Sequence, residues 1–373
     1  MHSHPSSTRI RLIDHCPLDC NITVTDSNAV FFPPEWAHQS AVLLAWPYAD
    51  GDFSPWLLDV EQTYLLIAAA VSQRQRLIIA CHDEKLRQRV ARLLDEHSIP
   101  ADRIALAVQP YNDVWVRDTA PITVDTADAV RFLNFRFNAW GGKYEHSHDA
   151  ELAARLHASG VLGHHPIEHI DFVLEGGSLE TDGTGTLLTT TRCLLNPNRN
   201  PGLNQAQIEQ KLKHYLGLNR VLWLQHGYAE GDDTDAHMDT LARFAPNNAI
   251  LYTACDRHDD PLYSELKAME AELQALRTED NCPYHLVALP IPGAITSENG
   301  ERLPATYANF LIINEAVLVP VYGDDAADRL ALERIAASFP EREAIAIPST
   351  PLIRQYGSIH CMTMQFPDFQ LDG

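Results

Sequence analysis

The order strand, strand, helix, strand recurs along this chain, and it limits the possible folds more than any single motif does. Near the C-terminal end, residues 308–313 read as an apolar strand, Asn314-Glu315 as a tight turn and 316–321 as a second strand. Asp324-Asp325 opens a helix over 326–339, and 343–347 reads as a third strand. Upstream, strands at 121–124 and 131–136 precede a helix at 149–158 and a strand at 167–173. Strands at 178–180 and 186–190 precede a helix at 205–216 and a strand at 220–224. Strands at 239–244 and 249–253 precede a helix at 262–276 and a strand at 284–289.

A fifth unit is split between the chain ends. Strand 40–46, helix 57–72 and strand 76–80 lack a leading partner, which 358–365 supplies. An extra helix (84–96) and strand (104–108) follow it. Five units whose last strand returns to the first predict a pseudo-symmetric five-bladed α/β propeller of ββαβ units, without free sheet edges. A doubly wound sheet would need strands and helices in simple alternation, and the hairpins break that alternation. No Pro- or Ser-rich linker divides the chain. Residues 29–373 therefore read as a single catalytic domain, and 1–28 as a flexible N-terminal arm.

Composition narrows the partners. The net charge of −22 argues against nucleic acid, which needs clustered Lys and Arg, and suits a small cationic substrate. The seven cysteines are odd in number in a chain too large to need disulfides, so a reducing compartment is expected. A polar N-terminus and short apolar runs predict no signal peptide, no membrane span and a cytoplasmic location. A second copy of the chain remains an open option as a partner.

The repeat also gathers reactive residues. Trp115-Val116-Arg117-Asp118, Glu175-Gly176-Gly177, His237-Met238-Asp239 and Gly357-Ser358-Ile359-His360-Cys361 each stand just before the first strand of a hairpin. Radially equivalent positions converge, so Cys361, His237, Asp118, Asp239 and Glu175 are expected in one pocket. A thiol beside an imidazole is the usual way to make a nucleophilic thiolate near neutral pH. Several carboxylates there would repel an anionic acyl intermediate. They suit a planar cation such as guanidinium, which carboxylates grip with paired hydrogen bonds. His237 and Asp239, two apart, are expected on one face of a strand. The acidic run 230–235 lacks the order of a calcium loop, and no metal or organic cofactor is called for.

These motifs resemble those of the agmatine deiminase and bacterial peptidylarginine deiminase family, guanidine-modifying enzymes of the pentein fold. The stretches that carry the resemblance are Trp115-Val116-Arg117-Asp118-Thr119-Ala120-Pro121, Phe137-Asn138-Ala139-Trp140-Gly141-Gly142, Glu175-Gly176-Gly177, Gly231-Asp232-Asp233-Thr234-Asp235-Ala236-His237-Met238-Asp239, Tyr307-Ala308-Asn309-Phe310 and Ile359-His360-Cys361-Met362-Thr363. The resemblance implies that Cys361 is the nucleophile and His237 the general acid/base. It implies that Asp118 and Asp239 hold the guanidinium, that Glu175 orients the histidine or contacts substrate, and that Trp115 walls the substrate channel. The implied reaction converts agmatine and water to N-carbamoylputrescine and ammonia, a step of putrescine biosynthesis, through an amidino-cysteine. The alternatives are peptidylarginine or free arginine as substrate, a non-catalytic guanidinium-binding relative, and a metal-dependent hydrolase built on 231–239.

Overall fold

A computed structural model describes residues 30–126, 129–228 and 231–367. The N-terminal arm, with Cys16 and Cys20, lies outside the described residues, as does Glu230 of the acidic run.

The strands form five small sheets, not one long one, within a mixed α/β fold. Four of them share a plan in which an antiparallel pair is followed by a crossover helix and a parallel third strand. In the fourth sheet, for instance, β1 (Ala242–Ala245) pairs antiparallel with β2 (Ala249–Thr253), α1 (Tyr263–Ala275) crosses over, and β3 (His285–Leu289) returns parallel to β2. Sheets of Ile122–Thr126, Val130–Arg136 and Ile167–Val173, of Glu180–Thr181, Thr186–Thr190 and Arg220–Leu224, and of Leu311–Ile313, Ala316–Val321 and Glu343–Pro348 follow the same plan. The remaining sheet joins the chain ends: Thr363–Pro367 pairs antiparallel with Gln39–Ala45, which runs parallel to Arg76–Cys81 and then Ile104–Val108.

Local sequence explains the boundaries. In the β1–β2 turn, Asn247 and Asn248 take φ of 63° and 55°, a left-handed region that Asn tolerates. The helix Gln205–Leu216 starts on a capping box of Asn204 and Gln207 and stops at Gly217, with φ of 65°. A Cβ on Gly217 would meet the Val30 carbonyl oxygen at 1.8 Å, so glycine is required there for close approach as well as for conformation. Asp83 and Asp324 cap Glu84–Glu96 and Asp325–Ser338.

Three expected strand starts are corrected. Residues Gly176–Ser178 and Met238–Thr240 form short helical turns, and β1 begins only at Ala242. In the closing unit the strand begins at Thr363, after a turn in which the Thr363 amide donates to the His360 carbonyl. Backbone amides that a strand would give to a neighbour are spent locally, as when Ser178 N donates to Glu175 O and Leu241 N to Met238 O. The reactive residues thus sit on tight turns ahead of the strands, and the expected placement of His237 and Asp239 on one strand face does not hold. Among the described residues, no helix is long and apolar enough to cross a membrane.

Candidate active site

The leading turns of all five sheets touch. Gly177 N–H donates to Asp118 Oδ1 at 2.9 Å. His237 Nδ1 lies 3.7 Å from Asp118 Oδ1, and its Nε2 3.7 Å from Glu175 Oε2. Asn309, ahead of the Leu311–Ile313 strand, donates from Nδ2 to Cys361 Sγ at 3.1 Å and to the Asp239 carbonyl at 3.4 Å. The Cys361 thiol faces Asp239 Oδ2 at 3.5 Å, and its carbonyl accepts from Arg117 N–H at 3.2 Å. Cys361, His237, Asp118, Asp239 and Glu175 therefore come together, each nearly or wholly buried.

Glycine makes this convergence possible. A Cβ on Gly177 would lie 2.6 Å from His237 Nδ1, 3.0 Å from Asp118 Oδ1 and 3.2 Å from Asp239 Oδ2. A Cβ on Gly357 would lie 2.2 Å from the Trp115 ring.

A cavity of about 330 Å³ opens onto Cys361, Asp118 and Trp115. His237, Asp239 and Glu175 lie one layer behind its wall. Trp140 also lines the cavity, and its indole donates to Asp118 Oδ2 at 3.0 Å. Trp115 in turn donates to Asp113 Oδ2 at 2.8 Å. Away from the thiol the wall is acidic, with Asp52, Asp113, Glu145, Asp149 and Asp233, and no Lys, Arg or His lines it among the described residues.

Burial and neighbours set the protonation states. Burial, with Asp239 and Asp118 adding to it, pushes the Cys361 thiol well above its ordinary value. Burial would depress His237 more than any one neighbour raises it, but Asp118, Cys193 and Glu175 together outweigh it and hold the imidazole well above its ordinary value. Burial raises Asp118 as well, against the pull of His237. For Glu175 burial is outweighed by Arg199 and His237, and the carboxyl falls. Arg199 Nε reaches both its oxygens, at 2.9 and 2.8 Å. These directions favour a neutral thiol and a charged imidazole at rest, set among acidic side chains. On the far wall burial lifts Asp113 to about 7 and Asp149 to about 6.

Among the described residues, Glu175, Cys193 and His237 are the group that could present metal-ligand atoms close together. Arg199 already occupies both Glu175 oxygens, so the set fits an ion poorly.

Sequence reasoning named the five residues that come together and passed over the neighbours that hold them. Asn309 stands at the equivalent position of the remaining unit, so the repeat that pointed to Cys361 could have found it. Glu35, Arg199 and Cys193 carried no such signal. The acidic run, which lacks the order of a calcium loop, contributes to the site directly: Asp233 lines the cavity and Asp235 accepts from Arg199 Nη1 at 2.7 Å.

These features define a class, namely α/β proteins in which a buried thiol and a buried imidazole share carboxyl neighbours across the turns of five sheets. The family is specific. The model of the Porphyromonas-type peptidyl-arginine deiminase family matches residues 31–367, and the chain belongs to that family. It is 34% identical over 364 residues to a Vibrio parahaemolyticus protein named "Putative agmatine deiminase", covering 92% of this chain and 99% of that one. The C. jejuni agmatine deiminase with substrate bound superposes with a TM-score of 0.84 at 33% identity, over 91% of this chain and 96% of that one. A Porphyromonas gingivalis structure named "Putative Arginine Deiminase" gives 0.83 at 45% identity, over 91% and 98%.

Proposed function

We propose that this protein is a hydrolase that deiminates agmatine to N-carbamoylputrescine and ammonia through a covalent amidino-cysteine. The observation that carries the proposal is the cavity, with a thiol and Asp118 at one end and carboxylates around the rest. Agmatine has a cation at each end, so both halves of the cavity are matched. Free arginine would turn its α-carboxylate toward an acidic wall on which, among the described residues, no Lys, Arg or His stands to pair with it. The names of the Vibrio parahaemolyticus and C. jejuni relatives support the same activity, while the P. gingivalis structure is named for arginine.

The guanidinium seats against Asp118 at the cavity wall, with Asp239 close behind and 3.5 Å from the thiol, and its charge lowers the cost of ionising Cys361, whose proton leaves to solvent. The thiolate attacks the central carbon. His237, already protonated, donates to the departing nitrogen and releases ammonia. Neutral His237 then takes a proton from water, which adds to the amidino carbon. The C–S bond breaks as the added hydroxyl gives up its proton to solvent, leaving the ureido product and the thiolate. Glu175, pinned by Arg199, keeps the imidazole aligned. Acid–base help of this kind contributes roughly 10²–10⁴-fold.

The closure of the five sheets into a propeller is part of the same proposal, supported by the ring of contacts among their turns. It would explain why residues from five units share one site.

Agmatine, arginine and a peptidylarginine substrate are to be compared by ammonia release and ureido colour, in native protein and Cys361→Ala. Agmatine should be preferred by at least about 100-fold in kcat/KM, and the variant should be folded and inactive. Preference for arginine, or ureido product from the variant, would overturn the proposal.

A further inference from the structure

His360 precedes Cys361 in the chain and is completely buried. Its Nδ1 lies 2.8 Å from Asp239 Oδ2, and its Nε2 lies 2.8 and 3.0 Å from the two oxygens of Glu35. Its backbone is held too. The amide donates to Asn309 Oδ1 at 3.0 Å, and the carbonyl accepts from Arg117 Nε at 3.3 Å. Asp239 Oδ1, by contrast, has no hydrogen-bond partner among the described residues. With Oδ2 engaged by His360, Oδ1 is the oxygen left for a substrate cation.

Both ring nitrogens therefore face carboxylate oxygens, and an ionised carboxylate only accepts. Each contact is a hydrogen bond only if that nitrogen carries a hydrogen. Burial opposes ionisation of Glu35, but Arg243, His360 and Arg117 together hold its carboxyl far below the usual range. A neutral ring with its hydrogen turned to Glu35 would aim a lone pair at Asp239. Asp239 would then have to take up a proton and lose the charge that pairs with guanidinium. Other charged groups face this trio from neighbouring elements. Asp118, His237 and the Cys361 thiol surround Asp239, and Arg117 and Arg243 bracket Glu35.

We propose that His360, anchored by Glu35, is a positioning residue that turns the Asp239 carboxylate to the substrate and keeps it anionic by carrying a proton on each ring nitrogen. Cys361 makes the bond, and His360 sets the oxygen that holds the reacting cation beside it. The kinetic consequences rest on the deiminase proposal; the protonation of the ring does not.

The test therefore has two arms on the full chain. Nitrogen NMR of the substrate-free protein, with the His360 signals assigned by comparison with His360→Asn, should show both ring nitrogens protonated at pH 7. Glu35→Gln, close in shape, should return one of them to the neutral range. In the second arm the pH profile for agmatine is recorded. In His360→Asn an amide can replace Nδ1 but no charge remains. KM should rise roughly tenfold, kcat should change less, and the acid limb should move up by about one pH unit. Glu35→Gln should move it in the same direction. A neutral ring in native protein overturns the proposal. So do folded variants that lose thermal stability but keep KM and the acid limb, for the ring would then be only a brace. Native protein inert toward agmatine would strike the deiminase proposal and leave the NMR result to decide this one.

Discussion

At Gly177 an added Cβ would meet three polar atoms of the site, His237 Nδ1, Asp118 Oδ1 and Asp239 Oδ2, all within 3.2 Å. These are side-chain atoms, so the fold has room to yield where the chemistry does not. Overpacking of this sort costs about 1–3 kcal/mol of stability, while displacement of reacting groups by an ångström costs on the order of 100-fold in rate. Gly177→Ala should therefore stay folded, with a small fall in melting temperature, and lose about 100-fold or more in kcat/KM. Calorimetric melting and steady-state kinetics check this, and near-native kinetics would mean that the imidazole and carboxylates need not stand where they do. The residue type was legible in the sequence, since a Gly-Gly pair before a strand signals close backbone approach. The repeat also placed Asp118, His237 and Asp239 in the same pocket, but not which of their atoms would press on Gly177, because side-chain positions from two other units decide that.

At the scale of elements, the repeat was legible because each hairpin carries its turn signal, such as Asn247-Asn248, and each helix its cap, such as Asp324. The strand starts were not. Met238–Thr240 reads as strand by composition, yet its amides are satisfied within a turn, a tertiary choice that periodicity does not report. The segment 138–144 shows the same limit. It includes Ala139 and Trp140 at φ of 51° and 54°, a conformation costing about 1 kcal/mol or more for each non-glycine residue. That cost is offset by what the segment holds. Trp140 donates to Asp118, Lys143 Nζ reaches Asp233 O at 2.6 Å and Asp235 Oδ1 at 3.2 Å, and the Tyr144 hydroxyl donates to Asp233. Trp140→Phe would keep an aromatic wall and remove only the indole donor. KM should rise roughly tenfold together with a modest fall in melting temperature, since a buried hydrogen bond to a charged group contributes about 1.5–3 kcal/mol. A fall in melting temperature with KM intact would assign the indole to the fold alone.

At the scale of the whole molecule, the sheet that joins the chain ends meets the Leu311–Val321 hairpin through buried amides. Gln39 N–H donates to Asn314 Oδ1 at 3.0 Å, and Asn314 Nδ2 donates to Gln39 O at 2.7 Å. Gln75 accepts from Asn314 N at 2.7 Å and donates to Gln39 Oε1 at 2.8 Å. Gln39 Nε2 also reaches the carbonyls of Glu35 and Ile312, at 2.8 and 3.0 Å. Nothing in the sequence marks these amides, because each is polar and ordinary until three distant segments bury them together. Removing one strands its partners without water, at about 1–3 kcal/mol per orphaned group. Asn314→Ala leaves a Gln39 amide and a Gln39 carbonyl without their partner, so a loss of about 2–5 kcal/mol is expected. Asn314 touches none of the reacting residues, yet the site is shared among the turns of all five sheets. Opening this seam should therefore dissolve the site as well as the fold. Under denaturant, activity and tryptophan fluorescence should fall on one curve, and Asn314→Ala should move both midpoints down together while KM in water stays native. An activity midpoint well below the fluorescence midpoint would show instead that the site opens before the seam does. It would place the least stable part of the molecule at the turns around Cys361.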